Sequence, residues 1–195
     1  MNSARGCIFP GIVLGCLLLV GFSSLAIVSE PVSAQAEVNA PASASKAEKA
    51  ARGCGLNAAV PEEIRQWCDL IESAAQEQDL DPALIAAVIT QESSGDPSSY
   101  SSSGAVGLMQ VMPKDGLAAS FQCIHGPCFA ARPTMDELFD PRFNVQYGTQ
   151  MLAGLVRKHG NLRDALRAYG PMDVGYMYAD LVLGIYAGYQ SGSEG

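Results

Sequence analysis

Apolar residues recur at helical spacing through most of the chain beyond residue 60, and nowhere alternate for long enough to mark a useful strand. In PEEIRQWCDLIESAAQEQ (61–78), Ile64, Trp67, Cys68, Ile71 and Ala75 fall at helical spacing. Pro61 stands in the first turn, with Glu62 and Glu63 near the positive end of the helix dipole. DPALIAAVITQES then begins with Asp81 as an N-cap and Pro82 in the first turn. Its Leu84, Ile85, Val88 and Ile89, with alanines between, leave almost no polar face, so this helix is expected to be buried. Gly95 and Pro97 end it. GLMQVMP suggests a short helix closed by Pro113, and residues 114–134 read as irregular. Asp140-Pro141 opens another helix, with Val145, Met151, Leu152, Leu155 and Val156 on its apolar side and Gly160 at its end. Asn161 caps LRDALRAY, and a last helix is expected from Asp173 to Ala187. The expected fold class is mainly α, a single domain over residues 54–190 with little or no β-sheet.

The N-terminus breaks this pattern. After Arg5 the chain is nearly all apolar from Cys7 to Val28, and PVSAQA offers small residues at Ala34 and Ala36 for cleavage. Residues 1–36 are therefore expected to be a signal peptide, with an uncleaved membrane anchor as the alternative, because about twenty apolar residues also suffice to span a bilayer. Either way the remainder lies outside the cytoplasm. Residues 37–53 are Ala, Ser, Glu and Lys-rich with almost no large apolar side chain, and read as a disordered tether. Residues 191–195, SGSEG, read as a frayed tail.

Charge and cysteine usage narrow the function classes. The 195-residue chain carries a formal net charge of -8, which argues against nucleic-acid binding by phosphate neutralisation and against a basic membrane-adhesive patch. Six cysteines are present, and two of them, Cys7 and Cys16, sit in the leader. Cys54, Cys68, Cys123 and Cys128 remain for an exported domain, where disulfides form readily. Three pairings are possible. Cys54–Cys68 and Cys123–Cys128 are favoured, being close in sequence and, in CIHGPC, separated by the turn residues Gly126-Pro127. Zinc is the alternative; its usual CxxC spacing is missing, and only His125 and His159 could assist. No metal or cofactor is expected.

Glu92 is the first candidate for chemistry. It follows Val88 by four residues and Ile89 by three, and so continues the face of a helix that has no solvent side. Desolvation there disfavours the charged form and raises the pKa, leaving a neutral carboxyl able to donate a proton to a glycosidic oxygen. Helix position alone also admits a Glu that merely ends the helix and faces water.

The segment that follows separates these readings. ALIAAVITQESSGDPSSYSSSGAVGLMQVMP resembles the signature of the soluble lytic transglycosylase (SLT domain) family, related to goose-type lysozyme. The shared pattern is an apolar helix ending in Glu92-Ser93, Ser101 nine positions after the Glu, and the run Gly104 to Pro113. NVQYGTQMLAGLVRKHGNLRDALRAYG is similar to the family's second helical block, so the resemblance covers residues 59–189. It implies a lysozyme-like domain with a glycan in a groove and Glu92 as the catalytic residue. Ser101, Gln110 and Met112 match positions that line the groove, and Tyr169 matches a Tyr beside the Glu. Ser and Gln suit sugar hydroxyl or N-acetyl groups, Met an apolar sugar face, and a Tyr hydroxyl can orient a carboxyl group. The family usually continues Ala-Tyr-Asn, whereas this chain has Tyr169-Gly170-Pro171. Tyr176 and Tyr178 follow as replacement donors or as ordinary core or rim tyrosines.

Most glycosidases use two carboxyl groups, yet no acid occurs between Ser98 and Lys114. One carboxyl group suits N-acetyl assistance and a 1,6-anhydromuramyl product from a monomeric enzyme acting on peptidoglycan strands. A hydrolytic muramidase and a non-catalytic glycan-binding envelope protein are the alternatives.

Overall fold

Asp81 starts the helix around which the domain is assembled. Its side chain accepts a hydrogen bond from the Ala83 N–H at 2.8 Å, and Pro82 needs no donor partner at that position. The structure, a computed structural model, describes residues 54–191. The expected export segment, the tether and residues 192–195 of the expected tail lie outside them. Among the described residues the α-helices are α1 (Glu62–Arg65), α2 (Cys68–Gln78), α3 (Pro82–Ser93), α4 (Met135–Leu138), α5 (Pro141–His159), α6 (Leu162–Tyr169) and α7 (Met177–Ser191), with a short 3-10 helix at Gly116–Ser120. A minimal antiparallel pair, β1 (Gln122–Cys123) and β2 (Gly126–Pro127), is the one sheet among them. The protein is mainly α. None of the described helices is long and apolar enough to cross a membrane.

Leu84, Ile85, Ala86, Ala87, Val88 and Ile89 are all buried, so α3 has no polar stripe along this stretch and must be enclosed on every side. The enclosure comes from α1, α2 and α7, which pack directly on it, while α5 packs on α2 and α6, and α6 on α7. Leu108, Met109, Leu138, Leu152 and Leu166 complete the core from the loop and the later helices. The sulfurs of Cys54 and Cys68 are bonded, fastening the first described residue to α2, and a Cys123–Cys128 bond closes the β1–β2 hairpin.

Four details differ from the sequence expectation. The 61–78 helix is broken at Gln66-Trp67, where Trp67 leaves helical geometry at φ -93 and ψ 8; its indole N–H instead reaches the Gly95 carbonyl at 3.0 Å. An extra turn, α4, appears inside the stretch before Asp140 because Thr134 and Glu137 form a reciprocal capping box. The last helix begins at Met177 and not at Asp173, since Gly175 takes a left-handed φ of 60. The fourth difference concerns the site.

Candidate active site

GLMQVMP is not a helix. Val106 and Val111 exchange both backbone hydrogen bonds at 3.0 Å, closing a tight turn between them. Gly107 (φ 75) and Gln110 (φ 45) are both left-handed, a conformation that no right-handed helix can include. Asn144 on α5 holds this turn. Fully buried, it accepts from the Met109 N–H at 2.8 Å and donates to the carbonyls of Val106 and Leu138, both at 2.8 Å. Every polar group of its amide is thereby used inside the core. A side chain at position 107 would collide with it, as a Cβ there would lie 2.3 Å from Asn144 Nδ2. Glycine at 107 is thus required by both backbone sign and space.

The turn delivers residues to the C-terminal end of α3. Ser93 donates to the Leu108 carbonyl at 2.9 Å, tying helix end to turn. Glu92, one residue earlier, opens into a cavity of about 320 Å³ lined by Ser101, Ser103, Ala105, Gln110, Met112, Tyr169, Gly170 and Pro171 as well as Glu92 itself. All five residues singled out in the sequence (Glu92, Ser101, Gln110, Met112 and Tyr169) therefore share one cavity wall. Ser101 Oγ accepts from the Ala105 N–H at 2.9 Å, which leaves its hydroxyl hydrogen to serve a ligand. Gln110 uses its amide nitrogen on the carbonyls of Ser99 and Gly107, at 3.2 and 3.0 Å, so its oxygen is the group left to offer.

Burial pushes the Glu92 carboxyl up to about 7, against an opposing pull from one hydrogen bond. The donor is Tyr178, whose hydroxyl lies 2.5 Å from Glu92 Oε1. Tyr169 does not make this contact; its hydroxyl donates to the Met109 carbonyl at 2.9 Å. Both phenols are driven well above their usual range, by burial first and then by the nearby Glu92 charge, so both remain protonated donors. Sequence reasoning gave the orienting role to Tyr169 and weighed Tyr178 as a replacement donor or as core or rim. The signal for Tyr178 was its neighbour in space. At Gly170 a Cβ would lie 2.4 Å from two atoms of the Tyr178 ring. The missing side chain at 170 leaves the room that the ring occupies as its hydroxyl reaches Glu92.

The start of α7 is fastened from outside. Tyr176 donates to Asp164 Oδ1 at 2.6 Å, and its ring lies under the guanidinium groups of Arg163 and Arg167, at 4.1 and 4.8 Å. Arg163 in turn grips Asp180 with two bonds of 2.7 and 2.9 Å. These contacts hold the segment that bears Tyr178 against α6.

A second cavity, of about 720 Å³, continues from the first and shares Ser103, Gln110, Met112, Tyr169, Gly170 and Pro171 with it. Together they form one continuous cleft. For metals, the one cluster of possible ligands among the described residues is Cys54, Cys68 and Glu72. Its sulfurs are bonded to each other, and Glu72 Oε1 accepts from the Gly55 N–H at 2.7 Å. That set offers no thiolate to a cation.

A helical domain whose cleft holds one largely buried carboxyl group of raised pKa at the end of its central helix belongs to the lysozyme-like class of folds. More narrowly, the chain belongs to the Transglycosylase SLT domain family, which matches residues 69–174. Among its relatives, the membrane-bound lytic murein transglycosylase E of Buchnera aphidicola is 33% identical over 101 residues, 52% of this chain and 44% of the relative. The transglycosylase of Enterobacteria phage PRD1 is 33% identical over 104 residues, 53% of this chain and 34% of the relative. The endo-type membrane-bound lytic murein transglycosylase A of Citrobacter koseri is 35% identical over 107 residues, 54% of this chain and 50% of the relative. The chain thus spans half or less of the length of these curated relatives. Among solved structures, the 70 kDa soluble lytic transglycosylase of Escherichia coli is similar in fold, with a TM-score of 0.51 at 24% identity over 65% of this chain and 24% of that one.

Proposed function

We infer that this protein is a peptidoglycan lytic transglycosylase that cleaves the MurNAc–GlcNAc β-1,4 bond without water and leaves 1,6-anhydromuramyl ends. The observation that carries this reading is the pairing of Glu92, with its pKa near 7, with a cavity that Glu92 alone supplies with a carboxyl group. Neutral Glu92 protonates the glycosidic oxygen as the C1–O bond breaks. The N-acetyl carbonyl oxygen of the muramyl sugar attacks C1 and takes up the positive charge. Glu92, now a carboxylate, accepts the proton of that sugar's own 6-hydroxyl while O6 attacks C1 and releases the N-acetyl group. The cycle ends with Glu92 protonated again and no water consumed.

The other groups have supporting parts. Tyr178 orients the Glu92 carboxyl and stabilises its charged form between the two steps. Ser101 and Gln110 bind the sugar's hydroxyl or N-acetyl groups, Met112 packs on its apolar face, and Tyr169 braces the Met109 carbonyl beside them. The site of action is outside the cytoplasm, on the cell wall, in keeping with the two disulfides and with the murein named in the relatives' descriptions. A monomer suffices, because one chain supplies the whole cleft.

Digestion of purified sacculi followed by mass spectrometry tests the product. Muropeptide ends lighter by one water, in anhydro form, are expected. Reducing muramic ends would replace this reading by a hydrolytic muramidase, and release of nothing at all would leave a glycan-binding protein.

A further inference from the structure

The sequence offers Tyr176 as a donor at the site, but its hydroxyl is spent on Asp164 of α6, at 2.6 Å. Two residues beyond Tyr178, Asp180 is gripped by Arg163, the neighbour of Asp164 on α6, at 2.7 and 2.9 Å. The tyrosine that holds Glu92 is thus bracketed, at 176 and at 180, by side chains tied to adjacent positions of one helix. Arg163 and Arg167 also lie over the Tyr176 ring, at 4.1 and 4.8 Å.

Little else fixes the approach to Tyr178. Met172 is 98% exposed and Met177 60%, and Gly175 is left-handed at φ 60. Only Val174 and Tyr176 there pack, half-buried, against the core. Burial fixes α7 from Tyr178 onward, through Ala179 and Val182. In contrast α6 is anchored along its length, by its Asn161 cap, by buried Ala165 and Leu166, and by the bond from Tyr169 to the Met109 carbonyl. It is the frame to which the start of α7 is fastened.

The fastening suits this task. An isolated exposed ion pair adds little stability, but a two-bond guanidinium–carboxylate contact sets distance and direction together. Hydrogen bonds from Tyr176 and then Asn161 hold Asp164 below the usual carboxylate range, and Arg163 does the same for Asp180. The contacts therefore persist wherever Glu92 titrates. At the other end, Tyr178 on α7 and Tyr169 on α6 are the titratable groups that face Glu92, and no other described residue lining its cavity is charged. A hydrogen bond to a carboxylate weakens steeply with distance and angle, so a small tilt of the first turn of α7 is felt at Glu92.

We propose that Arg163, Asp164, Tyr176 and Asp180 are positioning residues for the reaction, a clamp outside the cleft that keeps the Tyr178 hydroxyl on Glu92. This deepens the transglycosylase reading and rests on it. No clamp residue touches the sugar.

The test opens the clamp with Tyr176→Phe and Asp180→Ala together in the full chain. The Glu92 carboxyl is titrated by NMR with carbon-13 glutamate, its resonance being the one that Glu92→Gln removes. The choice of Asp180 fixes the sign. Removing a negative charge by itself would ease ionisation of Glu92 and lower its midpoint, whereas loosening the Tyr178 bond raises it. A rise of about half a pH unit is expected, about threefold in proton affinity. A fall of about three- to tenfold in kcat should accompany it, with KM for strands unchanged. Asp180→Glu, which keeps the ion pair, is expected to stay close to wild type. In a Tyr178→Phe background, opening the clamp should move neither midpoint nor kcat further. An unchanged or lowered midpoint would overturn the proposal, as would a rise that persists without the Tyr178 hydroxyl. Because the titration needs no turnover, failure of the wild type to cleave strands would remove the transglycosylase reading, while the clamp is judged on the midpoint alone.

Discussion

Glu92→Gln is expected to lower strand cleavage on the order of a thousandfold or more, the scale of losing a general acid that is also the base, and at the same time to give a more stable protein above neutral pH. The second half follows from burial. The Glu92 carboxyl sits at about 7 in the folded chain against an ordinary value of 4.5. Between these values the folded state holds a proton that the unfolded state has released. Stability therefore falls as pH rises from about 4.5 to about 7, by roughly 3 kcal/mol in all, and is flat beyond. Glutamine carries no such penalty. Urea unfolding of both proteins should show little difference at about pH 4 and a clear advantage for Glu92→Gln at about pH 8. Equal stabilities at both pH values would mean that the carboxyl is solvated, and the account of its acidity would fail. The same protonation gives wild-type kcat/KM an alkaline limb near pH 7.

The second large effect is expected at Gly170. A Cβ there meets the Tyr178 ring at 2.4 Å, far inside contact distance, so Gly170→Ala must displace the ring whose hydroxyl holds Glu92. The expected result is a fall of about ten- to a hundredfold in kcat, the worth of a hydrogen bond to a charged group. An upward shift of the alkaline limb should accompany it, because the bond lost is the one that holds the Glu92 pKa down. Tyr178→Phe removes the hydroxyl without the collision and should move rate and limb in the same directions. In a Tyr178→Ala background, where the ring is gone, Gly170→Ala should add little, a coupling that a double-mutant cycle measures. A purely structural role for Gly170 predicts lower stability with the limb in place.

Much of this was legible in the sequence, for identifiable reasons. The burial of α3 follows from a run with no polar stripe, and the caps at Asp81, Asp140 and Asn161 set their helix starts through local chemistry alone. The gathering of Glu92, Ser101, Gln110, Met112 and Tyr169 around one cavity came from the resemblance; no periodicity encodes it. What was not legible depends on partners distant in the chain. The Gly107–Gln110 turn reads as helix until Asn144 is placed beneath it. Trp67 breaks its helix for a carbonyl at Gly95. Tyr178 is 86 residues from Glu92, and the sequence offers it, with Tyr176, as a replacement donor or as an ordinary core or rim tyrosine. Its significance appears only where the missing side chain of Gly170 is seen to make room for it. The capping box at Thr134 and Glu137 is the exception: it is a local signal, four residues long, and it could have been read.

Strand cleavage in water enriched in heavy oxygen tests most directly whether Glu92 acts alone, as acid and then as base on the sugar itself. If the muramyl O6 is the nucleophile, the new ends released by wild type should contain no label, whatever the extent of digestion, and Glu92→Gln should release almost none. One labelled oxygen at each new muramyl end would mean that water attacks C1, and would contradict the account.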